Sequence, residues 1–78
     1  MKLSALAKGI EAVIVSIEDE DLSVKLYEMG CLPGERVKVE NIAPFGDPIA
    51  ITVSGYKLCI RQQEADKVLI KQETGEGN

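Results

Sequence analysis

Seventy-eight residues, 45% of them hydrophobic, with a formal net charge of −4, describe one small domain. A chain this short builds a modest core and leaves no room beside it for a deep substrate cleft, which argues against an enzyme. The acidic balance opposes nucleic-acid binding, where neutralising phosphate supplies most of the affinity, and favours a basic or neutral protein partner.

The chain opens on Leu3 and Leu6, spaced as on one face of a helical turn, and Gly9 releases it. This start faintly imitates a signal peptide, but Lys8, Gly9 and Glu11 interrupt its apolar stretch too early. No apolar run approaches the roughly 20 residues needed to span a bilayer. The first strand is expected over 11–18, with Val13, Val15 and Ile17 on one face and Ala12, Ile14 and Ser16 on the other.

The acidic run Glu18-Asp19-Glu20-Asp21 reads as a helix entry, with Asp19 or Asp21 as N-cap. Leu22, Leu26 and Met29 form one apolar stripe of a two-turn helix, and Gly30 suits the left-handed position that ends it. Leu32-Pro33-Gly34-Glu35 fits a type II turn, with proline fixing the second position and glycine supplying positive φ at the third. In the next strand Val37 and Val39 alternate with Arg36, Lys38 and Glu40; Ile42 falls out of phase, which predicts a bulge or bend near Asn41.

The loop Pro44-Phe45-Gly46-Asp47-Pro48 follows, and Pro48 excludes Asp47 from the α region. Ile49, Ile51 and Val53 form the next inward face, Ser54-Gly55 a hairpin turn, and Tyr56, Leu58 and Ile60 the face of a fourth strand. A polar turn or 3₁₀ turn is expected over 62–67, and a last short strand over 68–70. Residues 73–78 read as a frayed polar tail. The fold class is therefore mainly β: a small five-stranded barrel, closed or half-closed, with one short inserted α-helix and a meander through strands two, three and four.

With those residues in place, the chain resembles the FeoA proteins, small cytosolic partners of the bacterial ferrous iron transporter FeoB. The resemblance spans residues 3–70. It is carried by Leu26, Met29, Gly30, Pro33 and Gly34, then by Pro44, Gly46, Asp47 and Pro48. Gly55, Leu58, Ile60, Arg61, Glu64, Ala65, Val68 and Ile70 continue it. It implies an SH3-like barrel over 1–72, cytoplasmic placement, and a FeoB-like transporter, through its cytoplasmic region, as partner, with weak self-association as a further expectation. The same module ends the iron- and manganese-dependent repressors. Here the match begins within the first residues, so a free-standing FeoA is the expectation, with a metal-linked regulatory module and an RNA-associated barrel as alternatives.

Local chemistry adds little to that picture. Histidine is absent, and Cys31 and Cys59 do not form a Cys-x-x-Cys pair, so the thiols read as free and reduced, packed as small hydrophobes. The acidic run lacks the spacing of a calcium loop. A tight metal site is not expected; weak binding at Cys31, Cys59 or residues 18–21 stays open, and no cofactor is expected. FeoB is a GTPase, but this chain has no Gly-x-x-x-x-Gly-Lys-Ser/Thr loop, and it has no catalytic constellation. Binding remains. Phe45 either folds back to cap the barrel or stands out as an anchor. Tyr27 lies off the helix stripe. Arg36 and Lys38 are expected on the same side as Lys57 and Arg61, either as an ordinary solvated face or as a basic patch for an acidic surface.

Overall fold

Strict alternation in the middle of the chain builds the centre of the sheet. In the computed structural model, which describes residues 1–72, five antiparallel strands pair in the order β4-β3-β2-β1-β5. They are β1 (Glu11–Ile17), β2 (Arg36–Ile42), β3 (Ile49–Val53), β4 (Tyr56–Ile60) and β5 (Val68–Gln72). Val39, Ile51 and Leu58 form one cross-strand row, and Val37, Val53 and Tyr56 the next. Val37, Val39, Ile49, Ile51 and Val53 are all buried, each side chain contributing about 1.5–3 kcal/mol.

Two bulges bend the sheet around this core. One lies between Val39 and Asn41, where the phase break at Ile42 places it; the extra residue returns Ile42 to the row of Ile49, at the rim. The other lies between Ile14 and Ser16 and has no counterpart in the alternation pattern. It decides the face of β1: Ala12 and Ile14 are buried, Val15 is exposed in the bulge, and Ile17 returns to pack on the core. The Val13-Val15-Ile17 face is therefore not the inner one, because a single inserted residue shifts the phase midway.

The connection from β1 to β2 carries α1 (Glu20–Glu28). Asp19 is the N-cap, its carboxylate accepting from the Leu22 N–H at 3.0 Å. At the other end Gly30 has φ +89°. Two bonds close the helix there, Cys31 N–H to the Leu26 carbonyl (2.8 Å) and Gly30 N–H to the Tyr27 carbonyl (3.0 Å). This is a Schellman motif, and it accounts for buried Cys31 packing beside buried Leu26. Leu22 and Met29 pack part-buried against the same core. The Leu32–Glu35 turn closes with a 3.0 Å bond from the Glu35 N–H to the Leu32 carbonyl.

Before β1, a 3₁₀ turn (Leu3–Ala5) buries Leu3, with Leu6 buried just beyond it. After β4, the stretch expected as a polar turn is a short α-helix, α2 (Gln62–Ala65), which buries Ala65. The Asp47–Pro48 peptide bond is cis. The tail expected over 73–78 lies outside the described residues.

Candidate interaction surface

Phe45 is 99% exposed, so the loop does not fold back to cap the barrel. Its turn is nonetheless well held. In Ala43-Pro44-Phe45-Gly46 the Gly46 N–H donates to the Ala43 carbonyl at 2.7 Å, and proline at the second position with glycine at the fourth suits a type I turn. The Ala43 N–H donates to the Pro48 carbonyl at 3.1 Å and closes the loop base. The loop is then tied to α2: the Gln62 N–H donates to Asp47 Oδ1 (2.9 Å), and Gln62 Nε2 donates to the Gly46 carbonyl (2.8 Å). Asp47 thus satisfies one of the N–H groups that a helix start leaves unpaired. A braced turn presents a phenyl ring whose burial, worth about 1.5–3 kcal/mol, is unclaimed within the described residues.

α2 is the hub of this end of the molecule. Glu64 accepts from the Arg61 N–H at 2.8 Å and pairs with Lys25 Nζ of α1 at 2.8 Å. The Lys25 ammonium first, and the Arg61 N–H after it, hold the Glu64 carboxyl below its usual value. Asp66 accepts from the Ser4 hydroxyl, and Lys67 reaches Asp19 at 3.7 Å. The bond from Leu22 N–H, the largest influence, likewise lowers the Asp19 carboxyl. An open groove of about 400 Å³ runs between the two helices past Asp21, Leu22 and Lys25, and a neighbouring cleft of about 350 Å³ is lined by Pro48, Cys59, Ile60 and Arg61. Gln62, Glu64 and Lys25 organise this region through bonds between residues far apart in sequence, which leave no local pattern to read. The one sequence trace is the Arg61-x-x-Glu64 spacing, half of a capping box.

The other expected surface residues are spread out. Lys38, Thr52 and Lys57 form one row across the outer face of β2, β3 and β4. Arg36 lies at the far end of β2, paired with Glu11 at 3.5 Å, and Arg61 caps the start of α2. Glu40 also lies on this face, accepting from the Thr52 hydroxyl at 2.7 Å. Tyr27 is exposed, two residues and about 200° around the helix from Lys25, so it points away from α2. The Phe45 loop is bonded to Gln62, next to Arg61 and the end of β4, whereas Tyr27 lies on α1 and Arg36 at the far end of β2. The glycine and proline positions hold turns: Gly30, Gly34, Gly46 and Gly55 all have positive φ, and Pro33 and Pro48 flank two of these turns. Leu26 is core and Met29 caps α1.

Cys31 is buried, which pushes its thiol pKa up, and Cys59 is exposed on β4. Among the described residues no group of three or more cysteine, aspartate and glutamate side chains is placed to hold a metal ion, and no helix is long and apolar enough to cross a membrane.

A model of the FeoA domain matches residues 1–72. A fusion protein of Fe(2+) transport protein A and the Fe(2+) transporter FeoB from Porphyromonas gingivalis is 33% identical over 72 residues, covering 91% of this chain. The match spans only 8% of that protein's length. Among solved structures, the FeoA protein of Chlorobium tepidum superposes with a TM-score of 0.90 at 32% identity, over 100% of this chain and 75% of that one. The zinc-complexed FeoA of Stenotrophomonas maltophilia, described as a prokaryotic SH3 domain protein, gives 0.80 at 29% identity, over 91% of this chain and 89% of that one. The five-stranded sheet with its inserted helix is SH3-like.

Proposed function

The chain belongs to the FeoA domain family, and from that membership we propose that it is a non-catalytic cytoplasmic accessory protein of ferrous iron uptake that binds the cytoplasmic region of a FeoB-type transporter. The fused relative supports this reading: in one chain the two modules stay at high effective concentration, and separate chains need a docking surface to the same end. Phe45 carries the proposal. An aromatic ring left fully exposed on a braced turn is the kind of side chain that dominates binding energy once a partner desolvates it. Arg61, beside the same loop, supplies a charge at its rim. No polar or charged side chain is buried among the described residues, which also favours surface recognition over chemistry in a desolvated site.

The test is binding of the full chain to the transporter in detergent or nanodiscs, read by interferometry. Phe45→Ala is expected to weaken binding by about tenfold or more, with an unchanged circular dichroism spectrum. A wild-type chain that shows no binding overturns the proposal, as does ferrous iron uptake unaltered by its deletion.

A further inference from the structure

The sheet has two outer edges, and the fold treats them differently. The outer side of β5 is covered: the Ile70 N–H donates to the Met1 carbonyl at 2.8 Å, the Met1 amine reaches the Ile70 carbonyl at 3.4 Å, and Lys2 bridges Leu69. The outer side of β4 is bare. Ser54 (φ +51°) and Gly55 (φ +84°) form the two-residue turn of the β3–β4 hairpin, so Val53 and Tyr56 are its closing hydrogen-bonded pair. Alternation then aims the main-chain groups of Tyr56, Leu58 and Ile60 at β3 and those of Lys57 and Cys59 away from it. Arg61, the next outward residue, is satisfied by Glu64. Lys57 and Cys59 therefore present donors and acceptors with no partner among the described residues.

The side chains say what fits there. On the inner face, Tyr56 is 68% exposed and Leu58 half-buried. On the outer face stand Lys57, Cys59 and Arg61; among the described residues Lys57 is in no ion pair, and Arg61 is in none within 4 Å, although its charge helps to lower the Glu64 carboxyl. A second copy of this strand fits poorly. Two-fold antiparallel registers place Lys57 opposite Lys57, opposite Arg61, or opposite Cys59 with the two lysines on the diagonal. Like charges directly opposite destabilise a strand pair, and an edge lysine is a common guard against self-pairing.

We propose that the β4 edge takes an extended segment of a partner protein in which acidic residues alternate with apolar ones, as a sixth strand. Its main chain bonds Lys57 and Cys59, its apolar residues cover Tyr56 and Leu58, and its carboxylates face Lys57 and Arg61. The added strand ends beside the Phe45 loop, which joins α2 next to Arg61. This deepens the reading of the chain as an interaction module and rests on it.

The probe is a capped synthetic peptide in which valine alternates with glutamate and threonine, titrated into the ¹⁵N-labelled full chain. The expected result is saturable binding with slowed amide exchange at Lys57 and Cys59, whose N–H groups point outward. Lys57→Pro removes one outward donor and leaves the β3–β4 bonds intact; it is expected to weaken binding about tenfold. Lys57→Glu keeps the strand backbone unchanged and is expected to lose the acidic peptide and gain a lysine-substituted one. No added protection at Lys57 and Cys59 overturns the proposal, as does a Lys57→Glu variant that binds the acidic peptide like wild type. Protection of these amides in a dimer of the chain alone also overturns it and names the second copy as occupant. Transporter binding unaffected by either variant refutes the edge alone; peptide binding without transporter binding refutes the transporter reading alone.

Discussion

The two sheet edges differ in what anchors them. The β5 edge is covered by Met1 and Lys2, and that segment is held by Leu3 and Leu6, both buried in the core. The β4 edge carries one half-buried leucine and exposed tyrosine, lysine and cysteine side chains. One edge is anchored by core side chains, whereas on the open edge only Ile60 is buried and the other β4 side chains reach solvent in whole or in part. Leu3→Ala should break that contrast most severely. It removes a fully buried side chain and loosens the strap over β5, at a cost of about 2–4 kcal/mol in urea unfolding. Amide exchange at Ile70 should accelerate beyond the global change. Lys57→Ala on the other edge should change stability by less than about 0.5 kcal/mol.

The turn that carries the open edge gives the next largest effect. Gly55 has φ +84°, and a Cβ there would meet no neighbouring atom within 4 Å. Gly55→Ala therefore isolates the backbone cost of the left-handed conformation, about 1–2 kcal/mol. Because the whole of β4 depends on that hairpin, exchange at Leu58 should speed up while Ile70 follows only global unfolding.

How much of this contrast is legible in the sequence depends on which interactions make it. β2 and β3 are readable because their apolar residues alternate strictly, and even the bulge before Asn41 announces itself through the phase of Ile42. β1 is not, because valine and isoleucine occupy both faces and the bulge at Val15 decides which side is buried. The helix stop at Gly30 is readable from one residue. The Asp47–Gln62 and Lys25–Glu64 contacts are not, since each joins residues more than a dozen positions apart with no periodic trace. Phe45 illustrates the limit: its residue type and loop position suit either a cap or an anchor, and the ring's exposure shows only in the folded loop. The edge left bare at β4 is a property of strand order, which no single strand encodes.

A smaller effect comes from the electrostatics of α2, which backs the end of the open edge. Glu64 accepts from Lys25 and from the Arg61 N–H, and both lower its carboxyl pKa in the folded chain. A depressed folded value means that the stabilisation is fully present above the unfolded pKa, about 4.3, and is lost as pH falls through the folded one. The urea midpoint should therefore drop on acidification below about pH 4.3. Glu64→Gln should be less stable than wild type near neutral pH, by under about 1 kcal/mol for a pair this close to solvent. The gap should close in acid, because the variant has no carboxylate to protonate. Asp19, lowered chiefly by the Leu22 N–H, titrates in the same direction, so some acid sensitivity should survive in Glu64→Gln.

Phe45→Ala should have the smallest effect on stability, within about 0.5 kcal/mol, because an exposed ring contributes nothing to the core. That makes it the sharpest test of the separation between folding unit and recognition surface. If recognition is centred on this end of the molecule, the variant keeps its urea midpoint and loses transporter affinity. A double variant with Lys57→Glu then distinguishes two arrangements. Losses that add place the ring and the strand edge in independent contacts. A double variant no worse than the poorer single one means that the two sites engage one continuous segment, because removing either already releases it. The bonds from Gln62 to Gly46 and Asp47 hold the Phe45 loop against α2 at the Ile60 end of β4, so coupling is the expected outcome. Cutting the brace with Asp47→Ala should weaken it while leaving each site's own side chain in place.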